Sequence, residues 1–400
     1  MKFKLTKKCI CGANAVPNNT NSILLKKLPI TEIYSNHFKR SKNGFLDQRV
    51  VFCNNCQHMF LTNHINPKSV YDQNYSYFGE KVFSGIYSND YFYEFINLNL
   101  KKKNKTKKIV EVGSNDLYLL KKFYKKANNL IGIDPVIKKN KKYKKIKIYK
   151  EFFDNVNNKE IGKDVDIIIC GHTLEHVENP ESFIKKTLSI ANSKTKIFFQ
   201  FPSSDSLISN LSFDQIHHQH LNYFSLNSFN KILKKCGGKL INHKYSELHY
   251  GALMVYFTLD SSKQKSVKKE RIKSIVRKKN FLESYDIFKK HLSLYEKIIN
   301  NYLKSGKKLY VIGAGRMLPM INYHMNGLIN KAEGILDDDK VKIGKYFVNI
   351  NTQVMELKNV DLRNSICLVA CVASAISTRK IISILMDRKV EIILVPTITF

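Results

Sequence analysis

Ile109-Val-Glu-Val-Gly-Ser-Asn-Asp-Leu-Tyr118 decides the fold of this chain. A short apolar strand runs into one glycine, then an acidic turn, then the start of a helix. Leu130-Ile-Gly-Ile-Asp-Pro135 supplies the next strand about twenty residues on and ends it with Asp134. Strand, crossover helix and strand at that spacing form one βαβ unit. The alternation continues through Asp166-Ile-Ile-Ile-Cys170, a helix from Pro180 to Ala191 and Lys196-Ile-Phe-Phe-Gln-Phe201. This order implies a parallel sheet with crossover helices, and a helix from Ser228 to Lys235 and strands near Leu240 and over Leu253 to Leu259 follow.

The turn chemistry narrows the ligand. Gly113 permits a tight turn and close backbone approach. Asp134, at a strand end, can accept both hydroxyls of a ribose. No further glycines follow Gly113, which disfavours a pyrophosphate cradle. Glu111 and Asp116 suit a ligand that carries an ammonium or a sulfonium. S-adenosylmethionine has an adenosine and both cations, and these residues predict it as cofactor.

The same alternation restarts at Lys308-Leu-Tyr-Val-Ile312, followed by Gly313-Ala-Gly-Arg316 and a helix to Met325. Strands over Ala332 to Leu336, Ile366 to Ala370 and Glu391 to Val395, with a helix from Ser377 to Asp387, make a second, smaller α/β unit. Leu318 occupies the third glycine position of a dinucleotide fingerprint, which argues against a reductase. Between the two units, Ile272, Ile275, Phe281, Tyr285, Leu292, Leu294, Tyr295 and Ile298 are spaced for one buried helical stripe. Upstream, Tyr87 to Leu98 reads as a helix begun by Ser88 or Asn89. Short alternating segments such as Asp47-Gln-Arg-Val-Val-Phe-Cys53 predict small strands that bury little.

Four hundred residues imply two or three domains, because one core rarely grows past roughly 250 to 300 residues. The apolar share of 43%, with no long apolar run and no apolar leader after Met1-Lys-Phe-Lys-Leu, leads to the expectation of a cytoplasmic protein without a membrane partner. The net charge of +34 raises nucleic-acid binding. However, the excess is nearly all Lys, accompanied by abundant Asn and Ile, which an AT-rich coding sequence produces without selection for a partner. No specific nucleic acid is therefore expected, although the field attracts anionic ligands. Four of the eight cysteines, Cys9, Cys11, Cys53 and Cys56, fall in the first sixty residues. Cys170, Cys236, Cys367 and Cys371 sit in apolar or helical contexts and read as packed thiols.

Two histidine-bearing segments remain. Cys170-Gly-His-Thr-Leu-Glu-His-Val177 places His172, Leu174, Glu175 and His176 after a buried strand, where a methyltransferase sheet borders its cofactor. Glu175 and His176 alone lack the i, i+4 spacing of a helical metal site. Phe213-Asp-Gln-Ile-His-His-Gln-His-Leu-Asn-Tyr-Phe-Ser225 falls where the fold would face a substrate, and an imidazole there can move a proton.

Taken together, the chain resembles the S-adenosylmethionine-dependent sugar C-methyltransferases, which act at C3 of nucleotide-activated 4-keto-deoxyhexoses. The resemblance runs through the cysteine pairs, Gly113-Ser-Asn-Asp116, Leu174-Glu-His176, Ile216 to Ser225, Gly313-Ala-Gly-Arg316, Asn322-Tyr323 and Asp337-Asp338. It implies a class I Rossmann-like methyltransferase sheet flanked by a small zinc-ribbon-like module and a second Rossmann-like α/β domain. The implied segments are a cysteine module over 1–65, a helical lead-in with the methyltransferase domain over 66–260, a helical brace over 261–305 and an α/β domain on the sugar-nucleotide side over 306–400. Monomers or small homo-oligomers are expected.

The resemblance assigns Glu111, Gly113, Asn115, Asp116, Asp134, His172, Leu174 and Glu175 to the cofactor, and Cys9, Cys11, Cys53 and Cys56 to a structural zinc. His220 becomes the base, with His217, Gln219 and Tyr223 beside it. Tyr75, Tyr77, Asn222, Arg316 and Asn322 fall to the nucleotide-sugar. Several positions depart from the family pattern. Cys9-Ile-Cys11 is one residue tighter than Cys-x-x-Cys, with Lys8 where the first thiol falls, and Leu117 replaces a glycine. Tyr-His-Glu-His becomes His217-His218-Gln219-His220, and His249-Tyr-Gly-Ala-Leu-Met254 replaces a Gly-Gly-Ser stretch with a following Arg. Because Tyr and Glu are lost, O- or N-methylation of a sugar is the alternative within the same architecture. An RNA-binding zinc-ribbon protein with degenerate α/β units is the alternative of another class.

Overall fold

The computed structural model describes residues 3–6, 8–31, 34–39, 44–65, 83–100, 107–137, 142–260, 278–370 and 375–396. Tyr75, Tyr77, Ile272, Ile275 and Cys371 lie outside these residues. The larger sheet has eight strands, in the order Gly238–Tyr245, Leu253–Leu259, Lys196–Phe201, Ile167–Gly171, Lys108–Val112, Asn129–Ile133, Ile146–Tyr149 and Lys142–Tyr143. The five strands from Lys196–Phe201 to Ile146–Tyr149 run parallel, and both edges finish antiparallel.

Strand alternation divides the apolar residues between two layers. Val110, Val112, Ile131, Ile133, Ile168 and Cys170 enter one core. Ile109, Leu130, Ile167 and Ile169 enter the other. Burial on both faces explains why these strands read as unbroken apolar runs. Ile146–Tyr149 was not expected, because its lysines mask the alternation: Ile146 and Ile148 are buried while Lys147 points out.

Two helix starts differ from the sequence reading. Phe83–Asn99 begins before Ser88, whose hydroxyl is buried and receives the Gln200 side-chain amide at 3.1 Å. Leu226–Lys235 begins before Ser228, because Ser225 caps it and Ser228 reciprocates at the Ser225 N–H.

The second sheet is parallel throughout, in the order Val354–Glu356, Gly334–Asp337, Lys308–Ile312, Ser365–Val369 and Ile392–Leu394. A third, antiparallel sheet runs Asn222–Tyr223, Met59–Leu61, Phe45–Phe52 and Ser22–Pro29. Its first strand belongs to the histidine segment, so that segment is stitched to the N-terminal strands. Ile23, Leu25, Val50, Phe52 and Met59 share one apolar cluster with Phe213, Tyr223, Phe281, Phe288, Leu309 and Ile321. The short N-terminal strands therefore bury more than their length suggests, because the Lys278–Lys304 helix and the second α/β unit cover them. Among the described residues, no helix is long and apolar enough to cross a membrane.

Candidate functional site

Three carboxylates gather at the carboxyl end of the central strands. Gly113 turns the chain at φ 75°, and its N–H donates to the Ile133 carbonyl at 2.8 Å. A Cβ on Gly113 would land on Thr173 Oγ1, so glycine is needed there to seat the neighbouring turn as well as to bend the backbone. The Asn115 N–H donates to Asp134 Oδ2 at 2.9 Å, and the Val136 N–H donates to Asp134 Oδ1 at 2.9 Å. Asp116 accepts the Tyr118 N–H at 3.0 Å.

Burial pushes the Asp134 carboxyl up to about 6. Burial, then the charges of Asp116 and Asp134, push Glu111 well above the usual carboxylate range. Glu111 Oε2 has no hydrogen-bond partner among the described residues. A cation placed here would relieve both the repulsion and the missing partner.

Leu117 holds a left-handed backbone, a conformation that favours glycine, at φ 68°. Its fully buried side chain fills the space above Gly132, where a Cβ would come within 2.8 Å of Leu117 Cδ2. The leucine thus packs under the turn, and its backbone strain is of the order of 1–2 kcal/mol.

The second group borders the first at Cys170, which feels both Glu175 and Glu111. Leu174 is fully buried and anchors the short turn that carries Glu175 and His176. Glu175 Oε1 lies 3.4 Å from His172 Nδ1 and 3.9 Å from His176 Nε2. The ring of His176 lies 4.9 Å from that of His220, and His220 lies 4.0 Å from His217. The Gln219 carbonyl sits 2.8 Å from His176 Nδ1. His249 joins from the Leu253–Leu259 side, 4.4 Å from the His172 ring. His172, His249 and Tyr250 hold left-handed backbones, so strain collects around this cluster.

Burial drives the histidines toward neutrality. His172 is pushed down to about 4, and His217, His220 and His249 well below their ordinary range. Arg316 reinforces this, its charge acting on His172, His176, His217, His220 and His249 from the second α/β unit. Burial raises Glu175 to about 7. His217 is therefore a neutral ring, and any donor role falls to its one N–H rather than to an imidazolium.

Other expected residues have structural duties. The Tyr223 hydroxyl is buried, accepts the His217 N–H at 3.3 Å and donates to the Gln215 carbonyl. Asn222 donates to the Val177 carbonyl at 2.7 Å and lies 3.2 Å from His58 Nε2. Asn322 closes its own turn by accepting the Ile329 N–H at 2.9 Å. His218 packs away from the cluster, within reach of the Leu28 carbonyl and the Gln48 amide. His249 and Thr173 went unassigned in the sequence. The nearest signal was the altered stretch from His249 to Met254, but nothing in it pointed at His172.

The four N-terminal thiols converge. Cys9 Sγ lies 3.4 Å from Cys56 Sγ, Cys11 Sγ lies 3.7 Å from Cys53 Sγ, and all four lie within 4.8 Å of one another. Two tight turns achieve this, one closed by the Gly12 N–H to the Cys9 carbonyl and one by the Gln57 N–H to the Cys53 carbonyl. Thiolates about 2.3 Å from a tetrahedral zinc stand roughly 3.8 Å apart, so this set fits zinc despite the tight Cys9-Ile-Cys11 spacing.

Residues 84–243 match a family model described as a methyltransferase domain, so this part of the chain is a methyltransferase domain on a Rossmann-like sheet. No curated protein matches the chain in sequence. Among solved structures, the plantazolicin methyltransferase BpumL, bound to a triazolic desmethylPZN analogue and SAH, is 16% identical. That likeness covers 45% of this chain and 86% of that one, with a TM-score of 0.36. A Listeria monocytogenes protein assigned as an S-adenosylmethionine-dependent methyltransferase is 8% identical over 43% of this chain and 98% of its own, with a TM-score of 0.35. A protein of Bacillus halodurans C-125 assigned as a methyltransferase is 10% identical over 43% and 99%, with a TM-score of 0.34.

Proposed function

We propose that this chain uses S-adenosylmethionine to C-methylate a nucleotide-activated keto-deoxy sugar. One observation carries the reading: within the methyltransferase domain, a buried acidic group of Glu111, Asp116 and Asp134, in which Glu111 Oε2 has no hydrogen-bond partner among the described residues, borders a buried set of neutral histidines through Cys170 and Thr173. The first suits a cationic nucleoside, and the second suits proton removal from an acceptor. When bound, S-adenosylmethionine supplies a methyl group on a sulfonium, open to a carbon nucleophile.

Asp134 would receive the ribose hydroxyls while keeping its two backbone donors, and Glu111 and Asp116 would face the ammonium and sulfonium. Neutral His220 would take the proton from the carbon beside the ketone, leaving the electron pair delocalised onto oxygen as an enolate. The His217 N–H or the Gln219 amide would donate to that oxygen. Arg316 would meet the diphosphate, bringing the second α/β unit to the acceptor.

Cys9, Cys11, Cys53 and Cys56 would hold a structural zinc. Its effect would reach the site through the Met59–Leu61 strand, which pairs with Asn222–Tyr223 next to His220. A neutral His217 in place of the family's Tyr favours a second reading, transfer to a sugar hydroxyl or amine, which needs a base but no enolate donor.

Replacing His220 with Ala should abolish transfer and leave S-adenosylmethionine binding unchanged in calorimetry; retained turnover would overturn the base assignment. Deuterium exchange at C3 of a 4-keto sugar nucleotide in the absence of methyl donor is expected for C-methylation, and its absence would favour the second reading.

A further inference from the structure

We propose that Glu175, His176 and His220 form a binding site for a divalent transition-metal ion, separate from the four thiols. Each contributes one ligand atom, and the three atoms lie within 4.8 Å of one another. Nitrogen and oxygen ligands about 2.1 Å from a tetrahedral ion stand roughly 3.4 Å apart. Small side-chain rotations therefore close the set, and the Glu175 Oε1 to His176 Nε2 separation is already 3.9 Å.

Hydrogen bonding sets the ring of His176 for this role. Its Nδ1 faces the Gln219 carbonyl at 2.8 Å, and a carbonyl can only accept. The proton of the neutral ring therefore sits on Nδ1, and the Nε2 lone pair faces Glu175. Histidines that bind metals are oriented by such a bond from their other nitrogen to a carbonyl or carboxylate. His172 Nδ1, 3.4 Å from Glu175 Oε1, can steady the carboxylate in the same way.

Missing partners are the second observation. Glu175 Oε2 and His220 Nδ1 are buried without a hydrogen-bond partner among the described residues, in side chains whose residues are 1% and 8% exposed. Both nitrogens of the adjacent His217 are in the same condition. Buried polar atoms rarely stay unpaired, so several at one place point to an absent ligand. Glu175 and His176 converge as acceptors, and His220 can present a third lone pair; one cation satisfies all three. Two imidazoles and a carboxylate with no thiolate suit zinc, cobalt, manganese or ferrous ions.

The ion would compete for the lone pair that His220 uses as a base. Binding stands apart from the proposed reaction, whereas the expected inhibition rests on it. Arg316 opposes a cation here, since its charge already acts on all three residues.

The test is titration of the full-length protein, its thiol site preloaded with zinc, with Co2+. One equivalent should bind with visible ligand-field bands and no thiolate charge-transfer band. That equivalent should be lost in Glu175→Gln and His220→Asn, with folding of both verified by an unchanged thermal melt and an unchanged far-ultraviolet circular dichroism spectrum. Arg316→Gln should bind Co2+ severalfold more tightly. Cobalt bound only through thiolates, or the same equivalent retained in both variants, would overturn the site. Cobalt bound there without slowing methyl transfer would overturn the inhibition and remove His220 as the base, leaving the site in place.

Discussion

The two α/β units build the same turn and use it differently. In each, a glycine N–H donates at 2.8 Å to the last part of the next strand, Gly113 to Ile133 and Gly313 to Leu336. In each, a strand-end aspartate ties the turn with both oxygens. Asp134 takes the N–H groups of Asn115 and Val136, and Asp337 takes those of Ala314 and Asp339, at 2.7 and 2.8 Å. The surroundings then diverge. Asp134 shares a buried space with Glu111 and Asp116, whereas Asp337 has Lys342 3.8 Å away, and Val311 and Arg316 stand relative to Gly313 where Glu111 and Asp116 stand relative to Gly113. Four residues past the glycine, Leu117 is left-handed and Met317 is right-handed, at φ −81°. A strand-end aspartate in a glycine turn is thus a structural brace first, and the charges around it decide whether it also serves a cationic ligand.

The sharpest way to break this comparison is to remove both braces. Asp134→Ala and Asp337→Ala should each cost about 1–3 kcal/mol of stability, because each strands backbone N–H groups. Only Asp134→Ala should also weaken S-adenosylmethionine, by roughly 100-fold in calorimetry, as two charge-assisted hydrogen bonds are lost. Equal affinity losses in both variants would mean that the two turns do the same work.

Acidity comes next in size. Asp134 is raised to about 6, and a ligand that donates to its carboxylate binds the ionised form. Affinity should therefore be full above that value and fall as the pH drops through it, by about tenfold between pH 7 and pH 5. The Asp134→Ala variant should lose this dependence.

The smallest effect concerns the divergent fourth position. Leu117→Gly would relieve about 1–2 kcal/mol of left-handed strain. It would also remove roughly 1.5–3 kcal/mol of buried side chain and add about 1 kcal/mol of backbone entropy. The net expectation is a loss of about 1–2 kcal/mol, seen as a melting temperature a few degrees lower. A rise would show that the leucine is strained without useful packing.

Much of the sheet was legible because burial on both faces leaves apolar runs that composition cannot disguise, as in Ile167 to Cys170. Ile146–Tyr149 was not, because this strand, second from the sheet edge, alternates buried Ile146 and Ile148 with exposed Lys147 and so leaves no apolar run. The cysteine pairs were readable from spacing, although only the two closing turns show how Cys9-Ile-Cys11 brings its sulfurs into the set. His172 and His220 were visible as residue types, yet nothing in the sequence joined them to His249.

Apart from Ile146–Tyr149, the sequence by itself determined the order of the main strands and helices of the two α/β units, the two glycine turns and the acids at the first, since these depend on periodicity and neighbouring residues. Only the tertiary structure decided that Glu175, His176, His217 and His220 share one buried space, that Arg316 reaches it from the second unit, and that Asn222–Tyr223 completes the N-terminal sheet. These contacts join residues far apart in the chain. Burial and neighbouring charge, which set protonation and the need for a ligand, exist only once the chain has closed around them.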